Sequence, residues 1–226
     1  MGVHDGHRKR TLDAFLENGV DRMQPHQILE MLLFFAIPRR DTNPLAHELI
    51  AAFGSLRAVF DAPYEELIKI KGMGEYSATL IKMVPELARA YLNTDDEDVI
   101  VSSSADAAAC MLPAFVGRTR ETVFLLCLDN KNKVLANVMV GEGSVNSASL
   151  SIRAIVEAGM KRNAAAVVLA HNHPGGTALP SRDDVETTRM LNELCASIHM
   201  PLLDHIVVSD GDYVSMAETG LIRGFR

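Results

Sequence analysis

The stretch "AAVVLA" (165–170) restricts this chain more than any other. It is an unbroken apolar run, shorter than a typical helix and lacking the alternation of a half-exposed strand. Such a run describes a strand covered on both faces. A strand of that kind needs a layer of structure on either side, which argues for an α/β body. The neighbouring segments supply the parts. "ETVFLLCLD" (121–129) and "KVLANVMVG" (133–141) read as strands joined by the turn "NKN". "SSADAAACMLPAFVG" (103–117) reads as a helix. So does "SASLSIRAIVEAGMKRNA" (147–164), with Leu150, Ile152, Ile155, Val156 and Met160 inward. "SRDDVETTRMLNELCASI" (181–198) is a third, with Val185, Leu191, Leu194 and Ile198 on one side. "HIVVSD" and "DYVSMA" form a last hairpin about Asp210-Gly211.

Upstream the pattern is helical throughout. "TLDAFLENGV" spaces Leu12, Phe15 and Leu16 on one face. In "QPHQILEMLLFFAI" Pro25 suits a first helical turn, and Pro38 ends the segment. "NPLAHELIAAFG" opens with Asn43 as cap and Pro44 behind it, and stops at Gly54. The stretch 63–92 gives two helices joined by "KGMG", and Pro85 predicts a kink or break in the second. Between the two bodies lies "NTDDEDV" (93–99), polar and self-repelling. The expected organisation is a helical domain over 1–93, an acidic linker over 94–103 and an α/β domain over 104–226.

Charge limits the partners. Residues 1–93 carry 11 basic and 12 acidic side chains, residues 94–98 add −4, and residues 99–226 carry 11 basic and 13 acidic. Neither body is basic, unlike a protein that binds DNA through a broad electrostatic stripe. Three cysteines are too few for a disulfide framework or a four-cysteine zinc site. "MGVHDGHRKR" has no apolar core of the signal-peptide kind, and no run is long enough to span a bilayer. A cytoplasmic setting without membrane contact is expected.

The joint "IKGMGEYSA" allows close helix approach at Gly72 and Gly74 and puts a helix N-terminus beside them. It resembles the helix-hairpin-helix motif, which holds the DNA backbone without reading bases. Gly72, Gly74 and Lys71 are the candidate contacts for non-specific DNA, with Lys69 and Lys82 adding charge. Glu65, Glu66 and Glu75 oppose strong binding.

"AHNHPGGTALPSRDD" (170–184) carries the chemistry. In an extended segment, residues two apart face the same side, so His171 and His173 present two imidazoles together. They lie past the end of the buried strand, where open α/β sheets build their sites. "PGG" turns the chain back, and Asp184 returns a carboxylate at the start of a helix. Two neutral imidazoles and one carboxylate leave the fourth place of a tetrahedral zinc open, and water bound there has a pKa near about 7. Ser181 three residues before Asp184 also fits a helix cap. That explains the serine and the aspartate but not the histidines.

H-x-H-x₁₀-D with a serine three before the aspartate resembles the JAMM metal site of the JAB/MPN domain. "AHNHPGG…PSRDD", "PLLDHIVVSD" and "YVSMAETGL" resemble the RadC family in particular, as does "FGSLRAVFDAPYEELIKIKGMG" near the front. The resemblance implies a JAB/MPN-like mixed sheet flanked by helices, preceded by a helix-hairpin-helix-like domain. It also implies one Zn²⁺ per chain held by His171, His173 and Asp184, with Ser181 polarising the reacting carbonyl. A glutamate working through the zinc water is implied as well. Strand order favours Glu121, with Glu142 next and Glu157 a solvated helix residue. The implied substrate is a peptide, isopeptide or other amide. Asn172 is expected to secure the loop, and His205 to stand behind the ligands rather than to become a fourth. Two rival readings remain open on the sequence. In one, a DNA-associated protein carries a regulatory metal body. In the other, a metal-bearing scaffold has no turnover.

Overall fold

The computed structural model describes residues 3–92, 99–143 and 152–225. The acidic run 94–98 and Leu150 lie outside the described residues. The chain divides into two compact units, Met1–Ala88 and Arg89–Arg226.

The first unit is helical: α1 (Val3–Asn18), α2 (Pro25–Ala36), α3 (Asn43–Phe53), α4 (Leu56–Asp61), α5 (Tyr64–Leu67) and α6 (Glu75–Leu92). Its core is Leu29, Leu33, Leu45, Leu49, Val59, Leu67, Ala78 and Ile81. Three expectations are corrected. Helix α1 begins at Val3, well before "TLDAF", because its polar first half is anchored. His7 Nε2 lies 2.9 Å from Glu30 Oε1, and Arg8 donates to the carbonyls of Pro38 and Ile37 at 2.7 Å. Thr42, not Asn43, holds the cap position of α3. Asn43 Nδ2 is drawn to Glu30 Oε2 at 2.9 Å, since a buried carboxylate requires donors. Helix α6 continues through Pro85 without a break. Packing of Ala78 and Ile81 into the core outweighs one missing amide donor.

The second unit is a mixed five-stranded sheet with helices on both faces. Helix α7 (Ser104–Met111) and a 3-10 turn (Leu112–Phe115) lead into β1 (Glu121–Leu128) and β2 (Val134–Gly143). Then come α8 (Ile152–Lys161), β3 (Ala166–Asn172), α9 (Arg182–Ser197), β4 (Leu202–Ser209) and β5 (Asp212–Ser215). The order is β2-β1-β3-β4-β5. Only β3 and β4 run parallel, and the other neighbours are antiparallel. Parallel strands need a crossover, and α9 is that crossover. Asp210 and Gly211, at φ 51° and 86°, make the two-residue turn of the β4–β5 hairpin.

Strand β3 is buried along its whole length. Val168 and Ala170 face α7 together with Phe124, Leu126, Leu128, Ile206 and Val208. Val167 and Leu169 face α8 and α9 with Val123, Leu125, Cys127 and Val207. The alternation puts the next residue of that second row, His171, on the α9 side. Met160, expected inward on α8, is 63% exposed, while Gly159 takes the buried position against Met200. A Cβ added at Gly159 would lie 2.6 Å from Met200 Sδ, so Met200 fills the space a side chain there would take.

Candidate metal centre

The site sits where β3 ends. His171 lies inside the strand, fully buried, opposite Val123 of β1 and Val207 of β4. His173 follows the strand, and its N–H still donates to Val208 O at 2.8 Å, which carries the parallel register one step further. The loop then turns at Gly175, whose φ of 68° suits glycine. Ser209 Oγ lies 3.1 and 2.9 Å from His173 O and Gly176 O and shares its one hydrogen between them, tying the loop to the end of β4.

The returning chain starts α9 with Ser181 at the cap. Ser181 Oγ accepts from Asp184 N at 3.1 Å, and Asp184 Oδ2 accepts from Ser181 N at 2.7 Å. This reciprocal capping box aims Asp184 back along the helix axis toward the histidines. Ser181 Oγ also donates to Asp184 Oδ2 at 2.6 Å, so its proton is engaged on the carboxylate.

Potential ligand atoms of three residues converge. His171 Nε2 and His173 Nε2 are 2.9 Å apart. Asp184 Oδ1 is 3.3 Å from His171 Nε2, and Asp184 Oδ2 is 3.4 Å from His173 Nε2. A tetrahedral ion with nitrogen and oxygen ligands at its usual bond lengths separates them by about 3.3 Å. His173 Nδ1 lies 3.0 Å from Thr177 O, a pure acceptor, so its proton sits on Nδ1 and Nε2 is bare. His171, His173 and Asp184 therefore fit one metal ion, and no other such group occurs among the described residues. Burial pushes the Asp184 carboxyl up. The His171 imidazole and the Ser181 hydroxyl and N–H outweigh that and hold it well below the usual carboxylate range. It stays ionised, as a ligand must.

Behind the ligands stands His205, fully buried, its Nε2 2.8 Å from His171 Nδ1. Its Nδ1 meets Thr188 Oγ1, which also reaches the carbonyl of Asp184. Burial, then His171 and His173, pull its pKa well below the usual histidine value, against a weaker pull from Asp184. The buried site thus disfavours the charged imidazole. Sequence reasoning missed Thr188. Its signal was there: it lies four residues after Asp184 on one helix, hence on the same face.

The other named residues fall as follows. Glu121, half-buried, opens β1 two residues before Val123 and shares the face of His171. Glu142 pairs with Thr122, on the opposite face, and is exposed. Glu157 is exposed and ion-paired with Arg153 at 2.7 Å. Asn172 Oδ1 accepts from Thr122 N at 2.7 Å, and Nδ2 donates to Arg120 O at 3.1 Å, fastening β3 to the entry of β1.

In the helical unit, two amides of the turn 71–74 have partners within the chain. Met73 N–H donates to Ile70 O at 3.0 Å and Gly74 N–H to Ser77 Oγ at 2.9 Å, so both amides are satisfied internally. Lys82 Nζ donates to Phe60 O and Ala62 O at 2.8 and 2.9 Å, because the end of α4 leaves these carbonyls without helical partners. Burial lowers its pKa, against the pull of Asp61 and Glu86. Lys69 pairs with Glu66 at 2.5 Å. Of the three lysines only Lys71 has its charge unengaged by these contacts. No described helix is long and apolar enough to cross a membrane.

Comparison with known proteins adds a family. A profile described as "RadC-like JAB domain" matches residues 101–221. A UPF0758 protein of Fusobacterium nucleatum is 32% identical over 227 residues, covering 97% of this chain and 98% of its own length. One from Vibrio atlanticus is 34% identical, covering 93% and 94%. One from Bacillus pumilus is 32% identical, covering 97% and 98%.

Proposed function

The chain belongs to the RadC-like JAB-domain family, and from that membership and the geometry of its centre we propose a zinc-dependent hydrolase of amide bonds, metallopeptidase- or isopeptidase-like, with one ion per chain. The observation that carries this reading is the convergence of two imidazole nitrogens and one ionised carboxylate, 2.9 Å apart between the nitrogens and 3.3 and 3.4 Å from them to the carboxylate oxygens. The three protein ligands leave one place free, the mark of a catalytic rather than a structural zinc.

Bound there, zinc supplies Lewis acidity and a water acidic enough to react at neutral pH. The remaining work belongs to the chain. Glu121, on the histidine face of β1, takes a proton on its carboxylate from the attacking water and returns it to the leaving nitrogen. Ser181 Oγ–H swings from Asp184 Oδ2 to the substrate carbonyl oxygen as negative charge grows there. The swing orphans nothing, because Asp184 Oδ2 keeps the Ser181 N–H at 2.7 Å.

The test combines elemental analysis with a panel of peptide- and isopeptide-linked fluorogenic substrates. The parent should hold one zinc per chain and cleave. His171→Ala should lose both properties. Glu121→Gln should keep the metal and lose about 10²–10⁴ in rate. A parent that takes up no divalent ion removes the reading, and unchanged hydrolysis by Glu121→Gln removes that residue from the mechanism.

A further inference from the structure

We propose that Thr188 and His205 are positioning residues that fix the proton of His171 on Nδ1 and so hold its Nε2 lone pair on the metal. The idea rests on the hydrolase reading above for its purpose, though not for its evidence.

The argument is a count of hydrogens along one buried chain of contacts. Thr188 Oγ1 carries a single hydrogen and has two close neighbours, Asp184 O and His205 Nδ1, each at 2.5 Å. The carbonyl oxygen can only accept, so the hydroxyl must donate to it. The hydroxyl oxygen therefore accepts from His205, whose proton must sit on Nδ1. Neutral His205 then has a bare Nε2, which faces His171 Nδ1 at 2.8 Å. His171 must donate there from Nδ1, which makes Nε2 the nitrogen it offers to an ion beside His173 and Asp184.

The opposite set of protons fails at one point. If Thr188 donated to His205, its oxygen and the Asp184 carbonyl oxygen would lie 2.5 Å apart with no hydrogen between them. Buried acceptors at that separation repel, and no water-exposed path offers relief for side chains 1% and 0% exposed.

The contacts close into a ring. Asp184 lends its backbone carbonyl to one end and its carboxylate to the other. His171 reaches that carboxylate through Nε2 and the carbonyl through Nδ1, His205 and Thr188. One residue of α9 thus sets both the third ligand and the tautomer of the first. Metal-binding histidines commonly lean on a carboxylate or carbonyl. Here a second imidazole stands in that place, and an imidazole accepts or donates according to which nitrogen is protonated. It directs His171 correctly only because Thr188 has decided its tautomer.

The experiment reads ring nitrogens by long-range proton–nitrogen correlation on ion-free full-length protein, together with zinc affinity by chelator competition. The expected parent spectrum has His205 protonated on Nδ1 and bare on Nε2. Thr188→Val, which deletes the hydroxyl but keeps the shape, should shift His205 toward the Nε2 proton and weaken zinc binding by about 10–100-fold. Thr188→Ser should restore both. A parent with the His205 proton on Nε2 overturns the inference. So does a Thr188→Val variant that is less stable yet matches the parent in tautomer and affinity, since that is what a purely structural threonine does. A parent with the stated tautomers that takes up no zinc supports the proton arrangement and refutes the hydrolase reading alone.

Discussion

Cys127 and Cys195 are fully buried in the layer between the sheet and helices α8 and α9. Burial raises the Cys127 thiol, against a weaker pull from Arg162, and pushes Cys195 up to about 11. Both therefore stay protonated through neutral and mildly alkaline pH, and the protonated thiol is a poor nucleophile. A thiol reagent at pH 8 should modify at most the half-buried Cys110 in the native chain and all three cysteines after unfolding. Rapid native modification of Cys195 would show that the core opens easily. Single residues differ in how plainly the sequence declares them. His171 and His173 announce themselves, because two imidazoles at the end of an apolar strand have no packing reason to be there. Thr188 does not, since a threonine in a helix is commonplace. Only its distance along the helix from Asp184 betrays it, and that matters once Asp184 is known to face inward.

Helix α9 shows why one of its faces was misread. Its apolar residues suggest a stripe through Val185, Leu191, Leu194 and Ile198, yet Leu194 and Ile198 are 40% and 37% exposed. The buried stripe is Asp184, Thr188, Leu191 and Cys195. Orientation is set at the N-terminal end, where the capping box and the histidines claim Asp184, and the rest of the helix follows at 3.6 residues per turn. Hydrophobic pattern alone ranks Thr188 below Leu194, so the reading fails where chemistry overrides burial. Strands β1, β3 and β4 were legible because nearly every position is apolar and no such conflict arises. The same cap makes a prediction. Ser181→Ala should cost the metal-free chain about 1 kcal/mol in a denaturant melt, the usual loss for a removed helix cap. A change near zero would show that Ser181 N–H alone suffices to hold Asp184.

At the scale of the whole molecule, the two units build their cores from separate stretches of chain. Damage to one should leave the other's chemistry intact. Gly72 supplies the test. Its φ is 99°, and an added Cβ would lie 2.6 Å from Arg40 Nη2. Gly72→Ala should destabilise the helical unit by about 1–3 kcal/mol through backbone strain. Zinc stoichiometry should not change. Loss of zinc in that variant would join the two units energetically. The division into a helical and an α/β part was readable because the hydrophobic period changes along the chain. The internal bonding of the 71–74 turn was not, since Ser77 looks like any other serine in a helix. Finally, β3 lies at the centre of the sheet, with β4 as its parallel neighbour. On a ribosome His171 emerges 34 residues before His205. If His205 directs His171 as proposed, a nascent chain has its imidazole pair before it has the partner that points one of them, and tight metal loading waits for β4.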